Sequence, residues 1–413
     1  MDAWFLFFLA TLFCLVSTGQ LDAQERVRTA AGRLKIESFR NPEAFFRLGP
    51  LQEELIGSAG IEFTDNSQLT NTDKVSRLRF FQGLNLNTTW VISHLNQLKF
   101  DFAGQLNEDF YGNGKSQVSV SISPDSLLEF QFAVSNFRVR LFDRFSYVQD
   151  PTENPTATNT ANLNSLTNTV GAVVDTDLNL AILSFSGDYT YNDQSGSNAE
   201  GQNNPDTTGT RHTIRLGTSV SIPLKKEMFY GLEVTASRST GSGGGNAQGS
   251  SNVNSLNIGP FIRGKLSPRT DFDLAGGVSL FDTNPSIPPN YYLNAVLKHR
   301  FNRNLQLFLS AAHDLIFTTA TDLTEETTFR AGAEVGLTRF ITFTTFPFFN
   351  FGEEKTGNAP GNFSEYGIEA TLAWRPHRRW KTALTYDHIH RSADLSTNSY
   401  VRNLVSFQLS YAF

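Results

Sequence analysis

The chain has 413 residues, a formal net charge of −6, 18% charged residues and 36 phenylalanines. That length leaves room for two or three soluble domains, but no shift in composition divides it, and the mild acidity argues against a general nucleic-acid footprint. No segment reaches the roughly 18 unbroken apolar residues of a spanning helix, which excludes a helical membrane protein.

The first element is an apolar run, Trp4 to Val16. It fits the core of a secretory signal and is too short to span a bilayer as a helix. We therefore expect a signal peptide over residues 1–23, cleaved after Ala23 or Gly19, although Met1-Asp2-Ala3 supplies no Lys or Arg ahead of it. The single cysteine, Cys14, lies inside this run, and Phe13 stands where a lipoprotein site needs a small residue. The processed chain would carry no thiol, hence no disulfide and no cysteine-metal site. Losing Asp2 and Asp22 leaves 34 bases against 38 acids. Residues 24–50 then form a basic lead-in (Arg26, Arg28, Arg33, Lys35, Arg40 and Arg47 against Glu25, Glu37 and Glu43). It reads as a loosely ordered periplasmic N-terminal tail or a plug entering a lumen.

From residue 51 to 413 large apolar side chains recur at every second position, the period of a strand with one greasy face. Strands are predicted near 53–64, 77–91, 97–108, 117–123, 127–147, 169–177, 179–191, 210–223 and 228–238. They continue near 253–266, 271–281, 291–301, 305–318, 327–339, 343–352, 364–375, 380–391 and 399–413. That makes about 18, or 16 if the regions 117–123 and 169–177 pair differently. The connections alternate in length. Short ones fall at His94-Leu95-Asn96, Pro124-Asp125-Ser126, Lys225-Lys226-Glu227, Pro268-Arg269-Thr270, Asn302-Arg303-Asn304 and 376–379. Long polar ones fall at 65–76, 148–168, 192–209, 239–252, 282–290, 319–326, 353–363 and 392–398. The expected fold is all-β: a transmembrane antiparallel up-and-down β-barrel of the bacterial outer membrane, with short periplasmic turns and long outer loops.

The chain ends on the clearest alternation. Val405, Phe407, Leu409, Tyr411 and Phe413 share one face, and Ser406, Gln408, Ser410 and Ala412 the other. Phe407, Leu409, Tyr411 and Phe413 are expected to act as the signal for the barrel-assembly machinery. Lys or Arg facing lipid at mid-bilayer costs about 2–4 kcal/mol, so charges should fall on the inner face. The expected pore-lining residues are Arg79, Asp101, Glu129, Arg138, Arg140, Arg144, Asp188, Arg215, Glu233, Arg263, Asp273, Lys298, Arg330, Glu334, Glu369, Asp387 and Arg402. They either brace the wall as pairs or set up a transverse field across a constriction. The 127–147 strand changes phase near Ser135-Asn136, which a β-bulge would absorb. Pro260 and Pro347 fall within strands of a barrel that has no free edge, so each calls for a bulge or a shifted boundary.

Trp90, Trp374 and Trp380 lie near predicted periplasmic turns, as an interfacial girdle requires. Gly112-Asn113-Gly114-Lys115-Ser116 lacks the leading glycine and the strand-to-helix setting of a phosphate loop, and reads as a hairpin loop. Gly241-Ser242-Gly243-Gly244-Gly245 reads as a flexible outer loop. His388 and His390 share a strand face but have no third ligand, and sit at headgroup level. His313 and Asp314 are strand neighbours that point to opposite faces. No catalytic grouping, metal site or cofactor motif emerges, so no enzyme activity is expected. The third outer loop, 148–168, either stays exposed or folds inward to narrow the channel.

Gly60-Ile61-Glu62-Phe63-Thr64-Asp65-Asn66, approached through Leu48-Gly49-Pro50, resembles the opening strand of the beta-barrel porin 2 family over about residues 46–70. Phe63 stands where that family more often has Tyr. The resemblance implies an outer-membrane barrel, often linked to exopolysaccharide or capsule systems, and carries over no catalytic residues. Two functions therefore stand side by side. One is a passive or weakly selective channel for small hydrophilic solutes; the other is the outer-membrane barrel of an exopolysaccharide export system. The expected partners are outer-membrane lipid and lipopolysaccharide, the assembly machinery and polysaccharide export components, with no nucleic acid.

Overall fold

The computed structural model describes residues 46–150, 162–197, 208–243, 251–282, 288–317, 323–355, 361–394 and 398–413. The expected signal peptide, most of the 24–50 segment and most of the third outer loop lie outside these residues. All regular structure described is strand. The elements are β1 (Phe46–Leu48), β2 (Leu51–Thr64), β3 (Arg77–Ser93), β4 (Asn96–Tyr111), β5 (Ser116–Ile122), β6 (Leu127–Val134) and β7 (Phe137–Val148). Next come β8 (Asn162–Asp177), β9 (Ile182–Ser197), β10 (Gly209–Lys225), β11 (Met228–Gly243), β12 (Ser251–Ser267), β13 (Thr270–Asp282) and β14 (Asn290–Arg300). The set ends with β15 (Leu305–Phe317), β16 (Leu323–Gly336), β17 (Ile341–Glu354), β18 (Gly361–His377), β19 (Trp380–Ala393) and β20 (Tyr400–Ala412).

Apart from β5 and β6, which do not pair with each other, each strand pairs antiparallel with its neighbours in sequence, and β20 pairs with β2 over Leu404–Ala412 against Ile56–Thr64, which closes the sheet. β1 is a short extension folded back on β2 through Gly49, whose φ is 61°. β5 and β6 both pair with β4 and form two halves of one stave, so the wall has eighteen staves. A closed antiparallel ring satisfies every backbone donor and acceptor within the wall, the condition for crossing lipid without helices.

The stave β5–β6 corrects one prediction. Residues 123–126 do not turn the chain; they bulge, four of them standing opposite Phe102 and Ala103 of β4. Because four replace two, the faces stay in phase on both sides of the bulge. The hairpin turn lies instead at Ser135-Asn136, where Val134 pairs with Phe137 and Ser135 has φ 55°. The phase change near Ser135 is therefore the chain reversing, and 127–147 is two strands rather than one bulged strand. Pro124-Asp125-Ser126 has turn-like composition without the switch of faces that a reversal imposes. β8 also starts earlier than predicted, at Asn162, and turns into β9 at 178–181.

Pro260 and Pro347 need no bulge. Pro260 pairs with Leu232 on the β11 side, while on the β13 side the ladder skips from Ile258–Val278 to Phe261–Ala275 in unchanged register. Pro347 likewise pairs with Ile368 in β18, while the β16 ladder skips from Arg330–Phe348 to Ala333–Thr345. The missing N–H is accommodated by a local opening of the ladder.

The outer face is apolar and exposed: Val405, Phe407 and Leu409 continue around the ring through Ile61, Phe80, Phe100, Leu141, Ile214, Leu232, Val278, Leu309, Phe329, Ile368 and Leu384. Trp90, Trp374 and Trp380 are exposed on this face near the short turns, as an interfacial girdle requires. At the other rim, His388 Nδ1 donates to Asn403 Oδ1 at 2.8 Å, His390 stacks on Tyr366 at 4.9 Å, and His313 stacks on Tyr291 at 4.0 Å. All of these lie on the outward face. An apolar exterior on a sealed strand ring, with short turns at one rim and long connections at the other, is the build of an outer-membrane barrel.

Candidate functional site: the inner wall

The inward positions carry the charges, and most are in networks. The densest lies near the long-loop rim. Arg77 and Arg79 of β3 are buried; Arg77 is 2.7 Å from Glu62 of β2 and 2.9 Å from Asp150, and Arg79 is 2.7 Å from Asp109 of β4 and 2.5 Å from Asp150. Two guanidinium groups thus meet three carboxylates. Planar Arg forks suit this multidentate pairing, and buried charge is tolerable only when compensated in this way. Asp150 lies two residues past β7, with the staves β4 and β5–β6 between it and β3. The chain leaving β7 therefore steps across the inner wall, and Gln149 accepts a hydrogen bond from the Val120 N–H at 2.9 Å on the way. Residues 151–161 of the same loop lie outside the described residues.

Four further groups brace the wall. Arg391 of β19 is 2.6 Å from Glu354 and 3.8 Å from Glu365, whose carboxylate also accepts from the Tyr400 hydroxyl at 3.3 Å. Arg402 pairs with Asp387. Arg263 is 3.0 Å from Glu233 and 3.8 Å from Asp273, with its guanidinium 3.9 Å above the Phe261 ring. Arg138 is 2.6 Å from Asp175, which also accepts from Ser184 at 2.6 Å. Lower on β4, Lys99 is 2.6 Å from Asp101, and Glu129 of β6 accepts from Gln131 at 2.5 Å.

Several inward rings lie over glycines of the neighbouring stave. A Cβ at Gly60 would meet Phe81 at 2.4 Å, one at Gly171 would meet Phe142 at 2.5 Å, and one at Gly231 would meet Phe261 at 2.6 Å. These rings shield the weak glycine positions of the sheet.

The inward charges, paired and unpaired together, are unevenly placed. β7 to β10 carry Arg138, Arg140, Arg144, Arg211 and Arg215 inward, with Asp175, Asp177 and Asp188 among them. β16 to β19 carry Glu326, Glu334, Glu354, Glu365, Glu369 and Asp387, with Arg330, Lys381 and Arg391 among them. In a ring of eighteen staves these two arcs are half a turn apart. An arginine-rich wall therefore faces a carboxylate-rich one across the lumen.

All seventeen residues expected along the pore sit at inward positions by register. Sequence reading missed Glu62, Arg77, Asp109, Asp150, Glu354, Glu365 and Arg391. Arg77 shares the parity of Arg79 and could have been added. Asp150 lies beyond a strand end, where parity gives no direction. His313 and Asp314 point to opposite faces, and no group of three or more potential metal ligands occurs among the described residues.

No family model matches the chain, and no curated relative matches it either. Among solved structures, OccK2 (OpdF) of Pseudomonas aeruginosa, in complex with glucuronate, is similar with a TM-score of 0.47 at 9% identity, covering 87% of this chain and 98% of that one. OccK7 (OpdD) of the same organism has a TM-score of 0.46 at 11% identity, covering 87% and 99%. The siderophore receptor PiuA of Acinetobacter baumannii has a TM-score of 0.45 at 7% identity, covering 89% and 82%. At these scores none of them assigns a role to this chain.

Proposed function

We propose that the protein is a porin-like outer-membrane channel through which small hydrophilic solutes pass with weak charge selectivity. One observation carries this reading: a sealed eighteen-stave ring, apolar outside, whose inner wall holds most of the strand charge. Rings of this size enclose an aqueous channel rather than a packed core, and opposed charged walls act on solutes in transit. The chain from β7 to Asp150, running over the inner wall, fits a loop that narrows such a channel. The terminal residues Phe407, Leu409, Tyr411 and Phe413 suit recognition by the assembly machinery, and the outward aromatic belts suit outer-membrane lipid and lipopolysaccharide. A signal peptide at 1–23 and a periplasmic segment at 24–50 fit the same setting. No residue is given a catalytic role, and no comparison supports polysaccharide export.

The test is conductance of the purified full chain in planar bilayers. Steady steps in KCl are expected. A folded barrel that never conducts overturns the channel reading.

A further inference from the structure

Phe346 of β17 is the one large apolar side chain on the inner faces of the described staves that stands exposed, at 38%. The other inner rings named above are covered. Its setting is built for display. Gly332 of β16 lies beneath it, so that a Cβ there would meet two ring atoms at 2.5 Å. Phe308 of β15 holds it edge-on, with centroids 6.3 Å apart at 81°. Lys298 Nζ lies 5.7 Å from the Phe308 centroid on the far side.

Free charges flank this ring. Phe346 stands opposite Glu369 of β18, and Arg330 of β16 stands opposite Phe348, one inward step above. Arg330 and Glu369 are both exposed and form no ion pair among the described residues, and the same holds for Glu334. Elsewhere on the wall most charges are consumed in pairs. Strand spacing and rise put the Arg330 and Glu369 backbones about 12 Å apart, with β17 between them. Their side chains are long enough to converge over the Phe346 face.

We infer that this patch is a binding site for small zwitterions that carry a flat apolar ring, the chemistry of aromatic α-amino acids. The solute carboxylate meets the Arg330 fork, its ammonium meets Glu369, and its ring stacks on Phe346. The inference rests on the channel reading, since it names the solute class that the inner wall retains.

The experiment is current recording from the full chain in planar bilayers with L-phenylalanine, L-alanine, phenylacetate or phenethylamine added to one side. L-Phenylalanine is expected to interrupt the current about 2- to 10-fold more often than L-alanine, the range a ring-on-ring contact gives. The two singly charged compounds should fall between. Phe346→Leu, which keeps volume over Gly332, should abolish the preference for a ring, and Arg330→Gln should lower interruption by L-phenylalanine and phenylacetate but not by phenethylamine. Heat-modifiable gel mobility reports that each variant is folded. An open channel interrupted equally by L-phenylalanine and L-alanine overturns the site, as do variants that behave like the parent. A folded barrel that does not conduct overturns the channel reading instead. Saturation-transfer NMR on the detergent-solubilised chain then decides the site alone: enhancement of the L-phenylalanine ring, lost in Phe346→Leu, supports it, and no enhancement overturns it.

Discussion

Asp150 Oδ1 lies 2.9 Å from Arg77 Nη1, tying the chain just past β7 to the inner face of β3 across two intervening staves. Its other oxygen is 2.5 Å from Arg79. Arg79→Ala leaves Asp109 and Asp150 short of a buried partner and should cost about 3–5 kcal/mol. Asp150→Asn leaves Arg77 with Glu62 and Arg79 with Asp109, so about 1–3 kcal/mol is expected. Midpoints of thermal unfolding in detergent check both values. Equal losses from the two substitutions would contradict the shared-carboxylate arrangement.

The two faces of β20 should respond oppositely to charge. Phe407→Arg places a cation on the lipid side, midway between the Trp380–Tyr411 and His388–Asn403 pairs, and is expected to cost about 2–4 kcal/mol. Gln408→Arg, one residue away, enters the hydrated side and should change stability by less than about 1 kcal/mol. Denaturant titration of refolded barrels in lipid vesicles measures the difference. Similar losses would mean that the faces are wrongly assigned.

Gly332 and Phe346 should be energetically coupled. A methyl group at position 332 would collide with the ring above it, and overpacking of this kind costs about 1–3 kcal/mol. In a Phe346→Ala background the same Gly332→Ala change should be close to neutral. A double-mutant cycle on unfolding free energies isolates the pair; a coupling near zero would place the ring elsewhere.

Neutralising the arginine-rich arc should alter ion selectivity. Arg144 and Arg215 form no ion pair within 4.0 Å among the described residues, and Arg215 stands opposite Asp188 in register. With Arg144→Gln and Arg215→Gln combined, the reversal potential in a KCl gradient should move toward cation preference. The shift should shrink at high ionic strength as the fixed charges are screened. An unchanged potential would show that permeating ions do not sense this wall.

The barrel was readable because its signal is local. Parity along 97–108, 327–339 and 364–375 separates lipid-facing from inward residues with no knowledge of pairing, and the structure keeps those faces. The 117–147 region shows the limit. Pro124 supplies turn chemistry at a point where the chain continues, whereas the true reversal at Ser135-Asn136 has two turn-forming residues without Pro or Gly, and the switch of parity is its clearer mark. Charge networks were less legible. Arg79 could be assigned to the inner face, but its partners come from β4 and from beyond β7, and a single sequence does not say which staves stand together at one height. Nor does it say which inner ring stays uncovered, because Phe81 and Phe346 follow the same pattern and differ only in their neighbours.

The β2–β20 seam has a bearing on how the molecule is made. Asn66 Nδ2 donates to the Val401 carbonyl at 3.0 Å over a separation of 335 residues, and Asp65 accepts from the Asn403 amide at 2.8 Å. Every other stave can zip to the one synthesised just before it, but this joint must wait for β20. Such distant pairings are slow to form. Until the joint forms, the first stave has a raw edge, so biogenesis depends on keeping that edge occupied or sheltered until the last strand arrives.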